Sequence, residues 1–130
     1  MAVYDDVLLA VQSLVQLAQT FAVPSIGPLP PDDGISLMWA SSGYNPFFDK
    51  LAAVELTAVV NGKSTDQQAV SEALNQIHTT LSMMKAYPQS NNYQITNIET
   101  LSAPAYIGRE ENAQWLYGSS LRVKFYLKGM

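Results

Sequence analysis

His78 is the only histidine in the chain and cysteine is absent, so an activated nucleophile or a transition-metal site would have to be built from His78 and the carboxylates. His78 follows Ile77 in a helical pattern, and no Asp or Glu lies four residues away to complete a ligand pair on one helix face. It reads as a core or solvent-edge histidine before it reads as a ligand or a general base. Neighbouring carboxylates can share a proton or hold Mg2+, and three such pairs exist: Asp5/Asp6, Asp32/Asp33 and Glu110/Glu111. The first pair suits a helix N-terminus, whose dipole favours negative charge, and the other two fall in loop-like text. No strand-turn-helix Gly-x-Ser-x-Gly elbow is present. Gly27-Pro28 and Gly34 make no phosphate loop, because no Gly-Lys-Ser/Thr follows and the prolines remove N–H donors. The expectation is a protein that is not an enzyme and carries no metal and no cofactor.

The residues that remain must be positioned by a chain of 130 residues, 48% hydrophobic and 14% charged, enough for one domain spanning 1–130 with one core. Seven Lys plus Arg against eleven Asp plus Glu give a net charge of -4, which disfavours a nucleic-acid reader needing a basic face. Acids at Asp5 and Asp6 stand where a secretory signal carries positive charge, and Gln12, Ser13, Gln16 and Gln19 interrupt the most apolar stretch. Neither export by a signal peptide nor a membrane partner is expected, and synthesis in a cytoplasm is.

Val3, Val7, Val11, Leu14, Ala18 and Phe21 recur at helical steps and predict a first helix over about 3–21, stopped before Pro24. Four prolines and two glycines between Pro24 and Gly34 predict a long, stiffened loop. Residues 35–40 read as a strand, and residues 50–61 as a second whose alternation ends at Asn61-Gly62. Ser64 with Gln67 has the form of a capping box, opening a second helix to about Ala86 before Pro88. A third strand is expected over 93–101, a loop over 102–112 and a fourth strand over 113–128, where Trp115, Tyr117, Leu121, Val123, Phe125 and Leu127 share one face. The expected fold is α+β: two helices on one face of a mainly antiparallel four-stranded sheet, in the order α-β-β-α-β-β.

Two features outlast the search for chemistry. Tyr44, Pro46, Phe47 and Phe48 make an apolar connection, either a hairpin tip folded on the core or a surface for another protein. Arg122 and Lys124 lie on the outward face of the last strand, opposite in sign to the acidic loops. The plainer reading is a solvated edge guarded against strand pairing, and the other is a docking surface. Acidic loops and a basic strand on one small domain would suit a head-to-tail ring.

Pro30-Pro31-Asp32-Asp33-Gly34-Ile35 leading into a strand resembles the minor capsid or tail-terminator family of tailed bacteriophages. So does the run from Ile98 to Asn112 followed by Trp115 and a long strand, together with the order of elements over most of the chain. The resemblance implies a virion protein assembled in the host bacterial cytoplasm into a ring, a hexamer, at the head-proximal end of a long tail. Such a ring ends polymerisation of the tail tube and offers a surface to the head connector, so its partners are further copies of itself, the tube protein and a head-completion protein. Candidate interface residues are then Asp32 and Asp33, the segment Tyr44, Pro46, Phe47 and Phe48, the loop residues Tyr106, Arg109, Glu110 and Glu111, and the row Arg122 and Lys124. Two alternatives stay open: another neck or head-completion component, or a small ligand-binding domain with a pocket lined by Trp39, Tyr93 and Trp115.

Overall fold

The computed structural model describes residues 3–18, 20–40, 53–110 and 113–127. The elements in chain order are α1 (Val3–Gln16), β1 (Ser25–Ile26), β2 (Gly34–Trp39), β3 (Ala53–Ser64), α2 (Gln67–Ser82), β4 (Tyr93–Arg109) and β5 (Trp115–Leu127). They form a five-stranded sheet in the order β1-β2-β3-β5-β4, with β1 parallel to β2 and the remaining neighbours antiparallel.

This corrects the expected four-stranded sheet and its order, because the fifth strand lies inside the proline-rich stretch. β1 has two residues at the sheet edge, where a flanking proline removes no ladder bond that the sheet needs. The Gly27 N–H donates to Leu37 O at 3.0 Å, and Gly27 turns the chain away at φ 109°. Gln12 Nε2 donates to Pro24 O at 2.6 Å, so the chain doubles back along α1. That reversal ends the helix at Gln16 instead of residue 21 and leaves Leu17 and Phe21 exposed.

Three other boundaries move for local reasons. β3 runs through Asn61-Gly62 to Ser64, because Gly62 is the position at which α2 crosses the sheet: a Cβ there would meet Val70 Cγ2 at 2.8 Å. The N-cap of α2 is Asp66, whose carboxylate accepts from the N–H groups of Gln68 and Ala69 at 3.1 and 3.3 Å. Ser64 Oγ accepts from the Asp66 N–H instead, so the capping-box reading is displaced by two residues. β4 continues to Arg109, through text that reads as a loop, by means of register shifts between Thr100 and Ser102, Ser102 and Ala105, and Tyr106 and Gly108.

One core lies beneath the helices. Val7, Val11 and Val15 of α1, Leu74, Ile77 and Leu81 of α2, and Leu37, Val60, Ile98, Leu121, Val123 and Phe125 of the sheet are all buried. On β3 the even-numbered residues Val54 to Val60 point into this core, and the odd-numbered ones from Glu55 to Val59 are half-buried on the other face.

Candidate functional site

The distal end of the β4–β5 pair collects three aromatic side chains, Tyr106, Trp115 and Tyr117. Tyr106 stands at 5.9 Å between ring centroids from both Trp115 and Tyr117, tilted at 55° to the first and 68° to the second. The Arg109 guanidinium lies 4.9 Å from the centre of the Trp115 ring. Gln67 Nε2 donates to the Tyr117 hydroxyl at 2.9 Å, tying the first turn of α2 to the cluster. Tyr106 and Ile107 are nevertheless 53% and 58% exposed, so the cluster presents apolar surface to its surroundings.

A polar network braces the same end of the sheet. Asp33 Oδ1 accepts from Gln114 Nε2 at 2.7 Å and from the Thr65 N–H at 3.2 Å, while Oδ2 accepts from Ser64 Oγ at 3.0 Å. The bond from Gln114 is the main cause that holds the Asp33 carboxyl below its ordinary pKa. Ser64, Thr65 and the Lys63 charge act in the same direction, and desolvation opposes them. Lys63 Nζ reaches Glu110 Oε1 at 3.2 Å with its side chain only 7% exposed. The Glu110 N–H donates to Gln114 O at 2.8 Å, and Ala113 turns the chain at φ 68°. The end of the proline-rich loop, the end of β3 and the start of β5 are thereby locked together.

The structure thus gathers Asp32, Asp33, Tyr106, Arg109 and Glu110 at one end of the sheet. Arg122 and Lys124 lie elsewhere, on the open sheet face. Arg122 Nε meets Glu55 Oε1 at 3.2 Å, Arg122 Nη1 meets Glu99 Oε1 at 3.5 Å, and Lys124 Nζ meets Glu99 Oε1 at 3.3 Å. The row is a charge-balanced ladder, in which partly exposed pairs add little stability. Tyr44, Pro46, Phe47, Phe48 and Glu111 lie outside the described residues.

Sequence reasoning passed over Lys63, Gln67 and Gln114. Their partners are 47, 50 and 81 residues distant in the chain, and no local pattern signals such a pairing. His78 is buried in α2. Its Nδ1 lies 2.8 Å from Thr100 Oγ1, Nε2 has no partner among the described residues, and burial pushes its pKa down, so the ring is neutral at pH 7.

The pocket expected between Trp39, Tyr93 and Trp115 does not form. Tyr93 pairs with Leu127 and Arg109 with Trp115, so Tyr93 and Trp115 stand at opposite ends of β5, roughly 40 Å apart at the rise of a strand. An open groove of about 390 Å³ lies instead between α1 and the start of β4, lined by Asp6, Leu9, Ala10, Ser13, Ser90, Asn92 and Tyr93. Among the described residues no group of three or more His, Asp or Glu is placed to hold a metal ion, and no helix is long and apolar enough to cross a membrane.

No family model matches the sequence, and no curated protein matches it. Among solved structures, the fold is similar to that of a chain in a structure described as the virion of a native gene transfer agent (GTA) particle. The TM-score is 0.60 at 13% identity, and the match covers 90% of this chain and 95% of that chain. At this identity the shared property is the fold alone.

Proposed function

We propose that this chain is a structural subunit of a tailed-phage-like particle. In this reading it assembles as a ring, a hexamer, at the head-proximal end of a long tail, ends growth of the tail tube and offers the surface that the head connector joins. The observation that carries the proposal is the two-way fold match to a virion chain, which leaves almost nothing of either chain uncovered. The sequence resemblance to tail-terminator proteins favours the tail station within such a particle.

The work is then geometric and electrostatic, and no bond is made or broken. A ring subunit presents one surface to its neighbour, one to the last ring of the tube and one to the head, so a small domain must carry several rigid exposed surfaces. The braced end of the sheet supplies such a surface. Tyr106, Trp115, Tyr117 and Arg109 are of the residue types enriched in interfaces, and the Asp33 and Lys63 contacts hold them in place before any partner arrives.

The test is tail-tube assembly from purified tube protein with and without this chain, with lengths measured in electron micrographs. The proposal expects tubes that stop growing and carry a cap at one end. Tubes that lengthen equally in both samples would overturn the tail reading, and binding to tailless heads alone would reassign the protein to head completion.

A further inference from the structure

We infer that Asn61-Gly62 is a modification site gated by the fold. The Asn61 amide converts through a cyclic imide only while β3 is out of the sheet, and the isoaspartate that forms bars the chain from returning to it. The site stands apart from the ring reading above, since it concerns β3 and its packing alone.

Asn61 is the only asparagine of the chain that precedes a glycine. A glycine has no Cβ to hinder its own nitrogen and turns freely, which is what ring closure at an asparagine requires. The Gly62 main-chain nitrogen attacks Asn61 Cγ, a C–N bond forms, and the side-chain nitrogen leaves as ammonia with the proton that Gly62 gives up. Water then opens the imide. Breaking the new bond to Cγ yields aspartate at position 61, and breaking the original peptide bond yields isoaspartate, whose main chain runs through Cβ and Cγ. Water is the only co-reactant, and nothing is oxidised or reduced.

The sheet holds the reacting atoms apart. β3 is paired along both edges at this point, Asn61 with Ser36 and Gly118, and Gly62 with Ile35 and Tyr117. A strand interior to a sheet has its N–H groups committed to the ladders and its backbone extended, which carries the Gly62 nitrogen away from the Asn61 side chain. The amide lies toward β5. A Cβ at Gly118 would stand 3.0 Å from Asn61 Oδ1 and would collide with Ile107 Cδ1, so Asn61 and Ile107 share the space over that glycine. On the other face α2 presses on Gly62, with Val70 Cγ2 2.8 Å from the position of an added Cβ.

Once isoaspartate has formed, the native register has no place for it. One additional main-chain atom ahead of Gly62 shifts Gly62, Lys63 and Ser64 along both neighbouring strands at once. Gly62 leaves its place beneath Val70, Lys63 its bond to Glu110 at 3.2 Å, and Ser64 its bond to Asp33 at 3.0 Å. An edge strand can bulge to absorb an insertion, but β3 has a partner on each side here. Ordinary aspartate leaves the backbone as it was and changes only a half-buried side chain. Unfolding that outlasts the reaction is therefore irreversible for every chain that takes the isoaspartate branch.

The full chain is held in mildly alkaline buffer with and without denaturing guanidinium chloride, then digested with trypsin. Peptide 51–63 carries Asn61 as its only amide side chain, so its mass gain and the separation of aspartate from isoaspartate report this site alone. Modification is expected to be faster in denaturant by about a hundredfold or more, because the folded chain reacts only through the rare opening of a core strand. On dilution of the denaturant, isoaspartate is expected only among chains that fail to refold, and aspartate among both pools. Asn61→Ser should still refold after the same incubation. Asn61→Asp should refold from the start, which separates the added charge from the added atom. Equal rates with and without denaturant, another asparagine reacting ahead of Asn61, or isoaspartate among the refolded chains would overturn the inference. So would an Asn61→Ser chain that loses refolding at the wild-type rate, or an Asn61→Asp chain that cannot refold.

Discussion

Asp33 and His78 give the molecule two separate acid responses. Asp33 titrates below its ordinary value in the folded chain because Gln114, Ser64 and Thr65 donate to the ionised form. The unfolded chain thus binds the proton first as pH falls, so this stabilisation is complete above the ordinary carboxylate range and is lost on passing through the lower folded value. Asp33→Asn should cost about 1 kcal/mol at pH 7, a figure discounted for exposure, and should flatten the most acidic limb of a stability-pH curve measured by urea denaturation. His78 is depressed by burial from 6.5, so its window lies higher: stability is intact above 6.5 and declines as pH falls from there toward the folded value. His78→Phe removes the orphaned Nε2 and leaves Thr100 to water. It should flatten the curve just below pH 6.5 and leave the Asp33 limb unchanged. A variant that retains the wild-type slope there would refute the assignment. His78 as a core histidine was readable from its helical neighbours, whereas the three donors to Asp33 come from residues 64, 65 and 114 and had no local signature.

At the scale of elements, Gly62 and Gly108 form a matched pair of tests. Gly62 lies beneath Val70 with no room for a Cβ, so Gly62→Ala should lower stability by about 1–3 kcal/mol, read as a fall in the urea midpoint at constant m. Gly108 faces open space, and Gly108→Ala should stay within about 0.5 kcal/mol of the wild type. Equal effects at the two sites would contradict the packing of α2 on β3. The same close approach explains why Asn61-Gly62 reads as a turn but continues as strand: a small residue serves either a turn or a crossing helix, and only the tertiary structure decides. Period-two and helical repeats located α1, α2, β2, β3 and β5, because each buries one face against a common core. β1 was not legible, since two residues between prolines have no period. The outer half of β4 was not legible either, because in Ser102-Ala103-Pro104-Ala105 only Pro104 is even half-buried and the run bears no hydrophobic alternation.

For the whole molecule, the absence of Lys and Arg from residues 1–49 and their concentration in the last strands mean that assembly should respond to salt. Raising ionic strength from about 0.05 to 0.5 M shortens the Debye length severalfold, and an oligomer held by charge should dissociate, a shift that sedimentation can follow. The central claim is that this chain works by closing a ring on a tail. Its most direct test is particle mass by light scattering over a concentration series, alone and with purified tail tubes, paired with negative-stain images. The account predicts closed rings of about six subunits, free or formed only at tube ends, as expected of cyclic heterologous assembly. A chain that stays monomeric at every concentration and leaves tube ends bare would contradict it.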